Sequence, residues 1–352
     1  MTAVTAIDRF LLPAGEPGIA SYLFERLLAP HNLRERLRRS ALAAVPSLAP
    51  RLLPRLVSGD GHRPALATLE TALEETSLLR GTPLEDQPED RPVRWLLAED
   101  YAGNGRRRLV AFLFAAGERS PAAVLKLQGI GTAGPSLERE AAALQCLAER
   151  LPQDLQRSVP RCLAFRTLPG LEALLSDPLA GVSAYMDMQG LLAPGRAVER
   201  HFQAAAAWLA RFHRATRIAR DLAAAHGDFW ARNLLLGPDG EAAVVDWEHF
   251  REEAPFWEDL FHFALTYGLN YPWRRWRRLP PEAAFRRTFL EKNRVSRAVS
   301  AYFARYADAS GSDGAALRQQ FGHYLETRPE EGLPWSDFRR LFGRARRSVF
   351  SG

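Results

Sequence analysis

Asp228 and Asn233 stand five residues apart in His226-Gly227-Asp228-Phe229-Trp230-Ala231-Arg232-Asn233, with no helical apolar pattern between them, which is the spacing of a loop. Leu234 to Leu236 is a short apolar run, Gly237-Pro238-Asp239-Gly240 a tight turn, and Ala242 to Val245 a second apolar run, so 234–245 reads as a β-hairpin. That hairpin returns Asp246 to the place where its first strand began and gathers Asp228, Asn233 and Asp246 into one site. Two carboxylates and a side-chain amide are hard oxygen donors, suited to Mg²⁺ with a phosphate substrate. A carboxylate left off the metal could orient or deprotonate a hydroxyl.

The elements that must position these residues are legible on either side. Val93–Ala98, Arg108–Ala115 and Ala122–Gln128 read as three antiparallel strands, with a Gly103-containing turn (Tyr101–Gly105) joining the first two. Lys126 lies in the third strand among apolar residues and needs a partner there. It is one of only two lysines, with Lys292, among 47 Lys or Arg, so a compact ammonium at that position is unusual for this chain. A helix capped by Ser136 follows, with Leu137, Ala141, Leu144 and Ala148 on one face, and Glu140 abuts that face while Glu138 sits further round. Arg161–Phe165 reads as a fourth strand and Ser183–Met188 as a fifth, running into a Gly/Pro segment at 189–195. Val198–Arg217 is a strongly amphipathic helix. Residues 18–29, 32–44 and 62–79 carry helical periodicity, and the acid- and proline-rich stretch 84–92 reads as a linker.

The pattern H-G-D-x-x-x-x-N, turn, apolar-apolar-D resembles the catalytic and metal loops of the aminoglycoside phosphotransferase/choline kinase family, the protein-kinase-like small-molecule kinases. The resemblance covers roughly 92–270. It departs from protein kinases in having His-Gly-Asp for His-Arg-Asp and Asp-Trp-Glu for Asp-Phe-Gly, both of which fit the small-molecule branch. It implies an α+β, two-lobed protein-kinase-like fold, with an antiparallel-sheet N-lobe over 91–188 and a mostly helical C-lobe over 189–352; the extra helical N-terminal segment over 1–90, read from its own periodicity as a cap on that core, lies outside the resemblance. It further implies ATP and Mg²⁺ as cofactors, Asp228 as catalytic base, and Asn233 and Asp246 as Mg²⁺ ligands. Lys126 would hold the α- and β-phosphates, paired with Glu140. Gly103 and Gly105 would cover the nucleotide phosphates, and backbone near Met186 and Met188 would read the adenine edge. His226 would hold the catalytic loop, and Asp259 would brace it. An aminoglycoside kinase and a catalytically silent kinase-like scaffold are the competing readings. The occupied nucleotide-handling positions argue against the scaffold.

Gly129-Ile130-Gly131-Thr132-Ala133-Gly134 is a literal G-x-G-x-x-G, the dinucleotide fingerprint. Pro135-Ser136 delays the helix past the glycines, hairpin strands precede it, and no acid closes a following strand, so a connector is expected instead. His201, His213, His249, His262 and His323 show no metal-ligand spacing and read as structural. Cys146 and Cys162 exclude a disulfide framework and sit in apolar surroundings as buried thiols. No apolar run is long enough to span a membrane and no basic-then-apolar start suggests a signal peptide, so a cytoplasmic location is expected.

Residues 260–352 hold 17 Lys or Arg against 8 Asp or Glu, whereas the rest of the chain is near neutral. Trp273-Arg274-Arg275-Trp276-Arg277-Arg278 interleaves cations with indoles and could meet anionic lipid, a phosphorylated acceptor or only solvent, with no nucleic acid expected. The charge favours a neutral or anionic small-molecule hydroxyl acceptor, such as a sugar, polyol or glycolipid, over a polycation.

Overall fold

The computed structural model describes residues 4–7, 10–13, 16–27, 63–85, 87, 93–102, 106–132, 134–188, 194–271, 279–327 and 335–344. Gly103, Gly105 and the Trp273–Arg278 cluster lie outside the described residues, as does the helix expected over 32–44. The chain divides into two compact units, one of residues 1–149 and 160–179, the other of 150–159 and 180–352. This is the sheet unit followed by a mostly helical unit that the sequence led us to expect. No helix among the described residues is long and apolar enough to cross a membrane.

The first unit is a seven-stranded antiparallel sheet. Its strands are β1 Val4–Ile7, β2 Phe10–Pro13, β3 Arg94–Ala102, β4 Arg106–Phe114, β5 Ala123–Gly129, β6 Cys162–Leu168 and β7 Leu171–Ser176, in the order β1-β2-β3-β4-β5-β7-β6. Among the helices described beside it are α1 Pro17–Tyr22, α2 Arg63–Glu74 and α3 Leu137–Arg150. Strand alternation separates two apolar faces. Leu97, Leu109, Ala111, Leu113, Leu125 and Leu127 pack with Leu69 and Ala72 of α2 and with Leu78 of the short helix Thr76–Leu79 after it. Leu96, Ala98 and Phe114 point the other way and pack with Phe10, Ile19 and Leu23.

The N-terminal segment is therefore part of this unit. The sequence presented 1–90 as a helical extension capping the core; α2 does cover a sheet face, but Val4–Ile7 and Phe10–Pro13 are strands, and β2 pairs with β3 (Phe10↔Ala98, Leu11↔Leu97). Strand β7 was not foreseen. Its sequence, Leu171-Glu172-Ala173-Leu174-Leu175-Ser176, does not alternate, and Gly170, at φ 74, turns it back against β6. The expected fifth strand at Ser183–Met188 is instead a two-residue strand, β8 Val182–Ser183, followed by a helical turn, Ala184–Met188. The N–H of Met186 is donated to Ser183 Oγ at 3.2 Å, an ST-type closure that winds the backbone. The extended edge expected at Met186 and Met188 for reading adenine is absent from 184–188, and Met188 is fully buried. These residues also leave the sheet unit, because β8 pairs with a strand of the second unit.

That second unit contains α4 Pro194–Ala215, β9 Leu222–Ala225, β10 Leu234–Leu236, β11 Ala242–Val244, β12 Arg251–Pro255, α5 Trp257–Asn270, α6 Pro281–Phe289, α7 Arg294–Ser310, α8 Gly314–Thr327 and α9 Trp335–Gly343. Its core is aromatic: Phe202, Phe263, Tyr267 and Tyr302 meet at centroid separations of 4.6–5.8 Å. Helix α4 lies along α7, where His213 Nδ1 meets the Tyr306 hydroxyl at 2.7 Å. His201 bridges Tyr267 and Asp187. Both imidazoles are buried and structural, as expected. Cys146 and Cys162 form no disulfide and are half-buried, rather than buried as expected.

Two outcomes follow for stability. A Cβ added at Gly268 in α5 would meet Thr288 Oγ1 of α6 at 2.1 Å, so Gly268→Ala should destabilise by about 1–3 kcal/mol. Thr288→Ala removes the nearest colliding atom and should recover part of the loss in a urea melt. Burial pushes the His213 imidazole down to about 3 from its ordinary 6.5. The folded chain thus refuses a proton that the unfolded chain accepts. His213's contribution is intact above pH 6.5 and declines below it, by at most about 1.4 kcal/mol per pH unit. Urea midpoints at pH 8 and pH 5 should converge in His213→Gln relative to the wild type.

Candidate active site

Two strand pairings assemble the site within the helical unit. β9 pairs with β12 (Arg251↔Ala225, Ala254↔Ala223), and β10 pairs with β11 (Leu234↔Val244, Leu236↔Ala242). The loop 226–233 joins β9 to β10 and the loop 245–250 joins β11 to β12, so both pairings bring the two loops to one end. Val245 N–H donates to Asn233 O at 3.0 Å and extends the hairpin ladder to the loop bases. β8 adds a third strand beside β10 (Leu235↔Ser183). The hairpin was readable from its turn; the β9–β12 pairing was not, because Leu222–Ala225 is a run of small residues without alternation.

Apolar anchors hold the loops. Phe229 is fully buried, stacked on Trp208 at 5.5 Å and 11°, and packed against Phe263. Trp247 is fully buried against His226, with its indole N–H on Val244 O. Each anchor adjoins an acid, Asp228 and Asp246, so burying the ring turns the neighbouring carboxylate outward. Asp246 has φ 72, the only non-glycine positive φ among the described residues. Aspartate tolerates that region better than most side chains. Gly227, at φ 82, has no such alternative: a Cβ there would lie 2.2 Å from His249 O.

The polar frame begins at Asp259, 1% exposed in the first turn of α5. It accepts from the consecutive N–H groups of His226 (2.6 Å) and Gly227 (3.0 Å). Burial raises its pKa, and His226 with the two N–H donors opposes that rise. His226 is wholly buried, and its ring assignments interlock. Nε2–H donates to Val245 O at 3.0 Å, which leaves Nδ1 to accept the Asp228 N–H at 3.2 Å. One imidazole thus ties the two loops together.

Asn233, 3% exposed, donates from Nδ2 to Asp228 O at 2.9 Å and to Asp228 Oδ2 at 3.3 Å. Committing its nitrogen in this way turns its amide oxygen to the other side. The loop is strongly acidic. His249 is raised above its ordinary pKa first by its hydrogen bond to Glu248, and further by the charges of Glu248, Asp228 and Asp246. Among the described residues no three His, Cys, Asp or Glu side chains form a metal cage. The donors present, an amide and a carboxylate of hard oxygen type, suit a cation that completes its shell with phosphate and water.

In the sheet unit, Lys126 Nζ meets Glu140 Oε1 at 2.7 Å and Oε2 at 2.9 Å. Glu140 is buried, on the face of α3 that also carries Leu137, Ala141 and Leu144. Removing either partner of such a buried pair leaves an uncompensated charge, at a cost of about 3–5 kcal/mol. The glycine run at 129–134 is a connector. β5 is flanked antiparallel by β4 and β7, where a dinucleotide fold needs parallel neighbours, and the first N–H of α3 is already taken by Glu172.

Two side chains were missed, one beside Asp228 and one further along its loop. His262 Nε2 lies 3.2 Å from Asp228 Oδ1, although the histidines read only as structural. Its position one turn after Asp259 was the only signal available. Arg232 lies over Tyr185 and Trp230 at 5.3 and 5.1 Å, a cation–aromatic stack with no spacing signature.

No family model matches the sequence, and no curated protein matches it. Solved structures do match. One is the aminoglycoside phosphotransferase APH(3'')-Id from Streptomyces rimosus, at 15% identity over 70% of this chain and 92% of that one, TM-score 0.41. The same enzyme in complex with ADP and streptomycin matches at 14% identity over 76% and 98%, TM-score 0.44. An aminoglycoside-3'-phosphotransferase of type VIII matches at 16% identity over 71% and 93%, TM-score 0.41. These structures are of aminoglycoside phosphotransferases. At such distance the functional reading rests on the site itself.

Asp259→Ala should orphan two buried N–H groups and destabilise by about 1–3 kcal/mol for each. Asp259→Asn keeps one acceptor and should lose about half as much. Equal loss in both variants, measured by urea unfolding, would contradict the two-donor account.

Proposed function

We propose that the chain is a phosphotransferase that moves the γ-phosphoryl group of Mg-ATP to a hydroxyl of a small molecule. The observation that carries this reading is the Asp228–Asn233 pair on a loop clamped by Asp259, with Asp246 brought alongside by the hairpin. Asp228 is the base. It orients the acceptor hydroxyl and takes its proton as the hydroxyl oxygen bonds to the γ-phosphorus and the bond to the β–γ bridging oxygen breaks, releasing ADP. Asn233 and Asp246 would hold Mg²⁺, which supplies charge neutralisation of the phosphate oxygens when bound. The acidic field sensed by His249 supports a cation there. Lys126, paired with Glu140, would hold the α- and β-phosphates, and Gly103 and Gly105, outside the described residues, would cover them. His226 ties the loops, and Asp259 braces them.

A neutral or anionic acceptor, such as a sugar, polyol or glycolipid, is favoured by the net positive charge of residues 260–352. An aminoglycoside acceptor is favoured instead by the acidity of the loop, where Asp228, Asp246 and Glu248 act together. The basic cluster separates these readings. Replacing Arg274, Arg275, Arg277 and Arg278 with Gln should raise the KM of an anionic acceptor, most steeply at low salt. A loss of binding to anionic vesicles, with unchanged kinetics, would assign the cluster to a membrane surface.

Millimolar Mg-ATP should raise the melting temperature. Asp228→Asn should keep that shift and lose turnover, whereas Asp246→Asn should lose the shift. An ATP-consumption screen against sugars, polyols, sugar phosphates and streptomycin identifies the acceptor class. Absence of any Mg-ATP stabilisation would overturn the proposal.

A further inference from the structure

Asp228 is held by more than its own loop. Its Oδ2 accepts from Asn233, and its Oδ1 faces His262 Nε2 at 3.2 Å. His262 is largely buried, and its other ring nitrogen lies 3.3 Å from the Tyr324 hydroxyl of α8. A tyrosine hydroxyl can donate into Nδ1, which leaves the proton on Nε2, the atom that faces the carboxylate. Three elements therefore converge on one carboxylate: the catalytic loop, α5 and α8.

The placement follows from helix geometry. Asp259 and His262 are three residues apart and share one face of α5. Asp259 takes the backbone of His226 and Gly227, and His262 takes the side chain two residues further along the same loop. Helix α5 is fixed in turn: Tyr302 of α7 donates to Leu260 O, and Gly268 permits close approach of α6. The loop's backbone and its acidic side chain are thus referenced to a single rigid helix.

We propose that His262 is the positioning residue for Asp228, donating from Nε2 to one carboxylate oxygen while Tyr324 fixes its tautomer. This rests on the phosphotransferase reading, in which Asp228 receives the acceptor proton. With Oδ1 and Oδ2 each engaged from one side, the carboxylate cannot rotate about its Cβ–Cγ bond. Its remaining lone pairs keep one direction toward the hydroxyl, and orientation of this kind carries much of the rate in reactions with little covalent work for the protein.

The test combines a spectrum with kinetics. In ¹⁵N-histidine-labelled protein, the His262 imidazole should carry its proton on Nε2, and Tyr324→Phe should weaken that preference. A bare Nε2 facing Asp228 would overturn the proposal without any activity measurement. The kinetic probe is Mg-ATP hydrolysis with water as acceptor. His262→Leu should lower kcat by roughly ten- to a hundredfold, with the KM for ATP and the melting temperature nearly unchanged. His262→Gln, which offers an amide donor near Nε2, should recover most of it. Asp228→Asn/His262→Leu should be no slower than Asp228→Asn alone, because His262 acts through Asp228. A wild-type kcat in His262→Leu, or a double variant slowed by the full product of both single effects, would refute the assignment. Failure of the wild type to bind Mg-ATP would remove the phosphotransferase reading alone, and the tautomer would still decide the clamp.

Discussion

The Asp259 carboxylate is the constraint on which the helical unit's site depends. A carboxylate with 1% exposure is costly to keep charged, and its raised pKa records that cost. Two consecutive backbone N–H groups offset it, those of His226 and Gly227. Only a chain that turns sharply can aim two successive donors at one carboxyl group, and the turn needs Gly227 at φ 82 with no Cβ against His249 O. Charge, backbone conformation and residue type therefore determine one another. Altering any one of them would move Asp228, whose N–H rests on the His226 ring.

From that fixed point, apolar and polar residues alternate along the loops with a mechanical result. Phe229 and Trp247 are driven into the core around Trp208, and the acids beside them are left at the surface of that core. Asp246 takes up a left-handed backbone conformation in the process. Residues held in such conformations persist only where their surroundings over-determine them, as the buried indole of Trp247 and the ladder bond from Val245 do here.

The sheet unit solves a separate problem, that of keeping one lysine charged within an apolar strand. Leu125 and Leu127 face α2, whereas Lys126 faces the opposite way, where Glu140 waits on α3. The period of two in β5 and the helical period in α3 are both needed for the two charges to meet. The N-terminal residues contribute by closing the far face of the sheet with α2, so that the strand carrying Lys126 is supported on both sides.

Much of this was written in local pattern. The loop spacing from Asp228 to Asn233, the turn at Gly237–Gly240 and the return to Asp246 follow from short-range rules, because each depends only on residues close in sequence, whereas Glu140 as the partner of Lys126 comes from the family resemblance together with the face of the helix. What needed the tertiary structure were pairings between distant segments. β2 joins β3 across more than eighty residues, and β9 and β7 find their partners without an alternating pattern. Ser183–Met188 reads as a strand from composition and becomes a helical turn because Ser183 captures the Met186 N–H while β8 is held by β10. His262 shows the limit most clearly. Its sequence neighbours mark it as one more helical histidine, and only the docking of α5 against the loop and α8 brings it to Asp228. Periodicity specifies which face a residue occupies, whereas what lies opposite that face is decided by the packing of the whole chain.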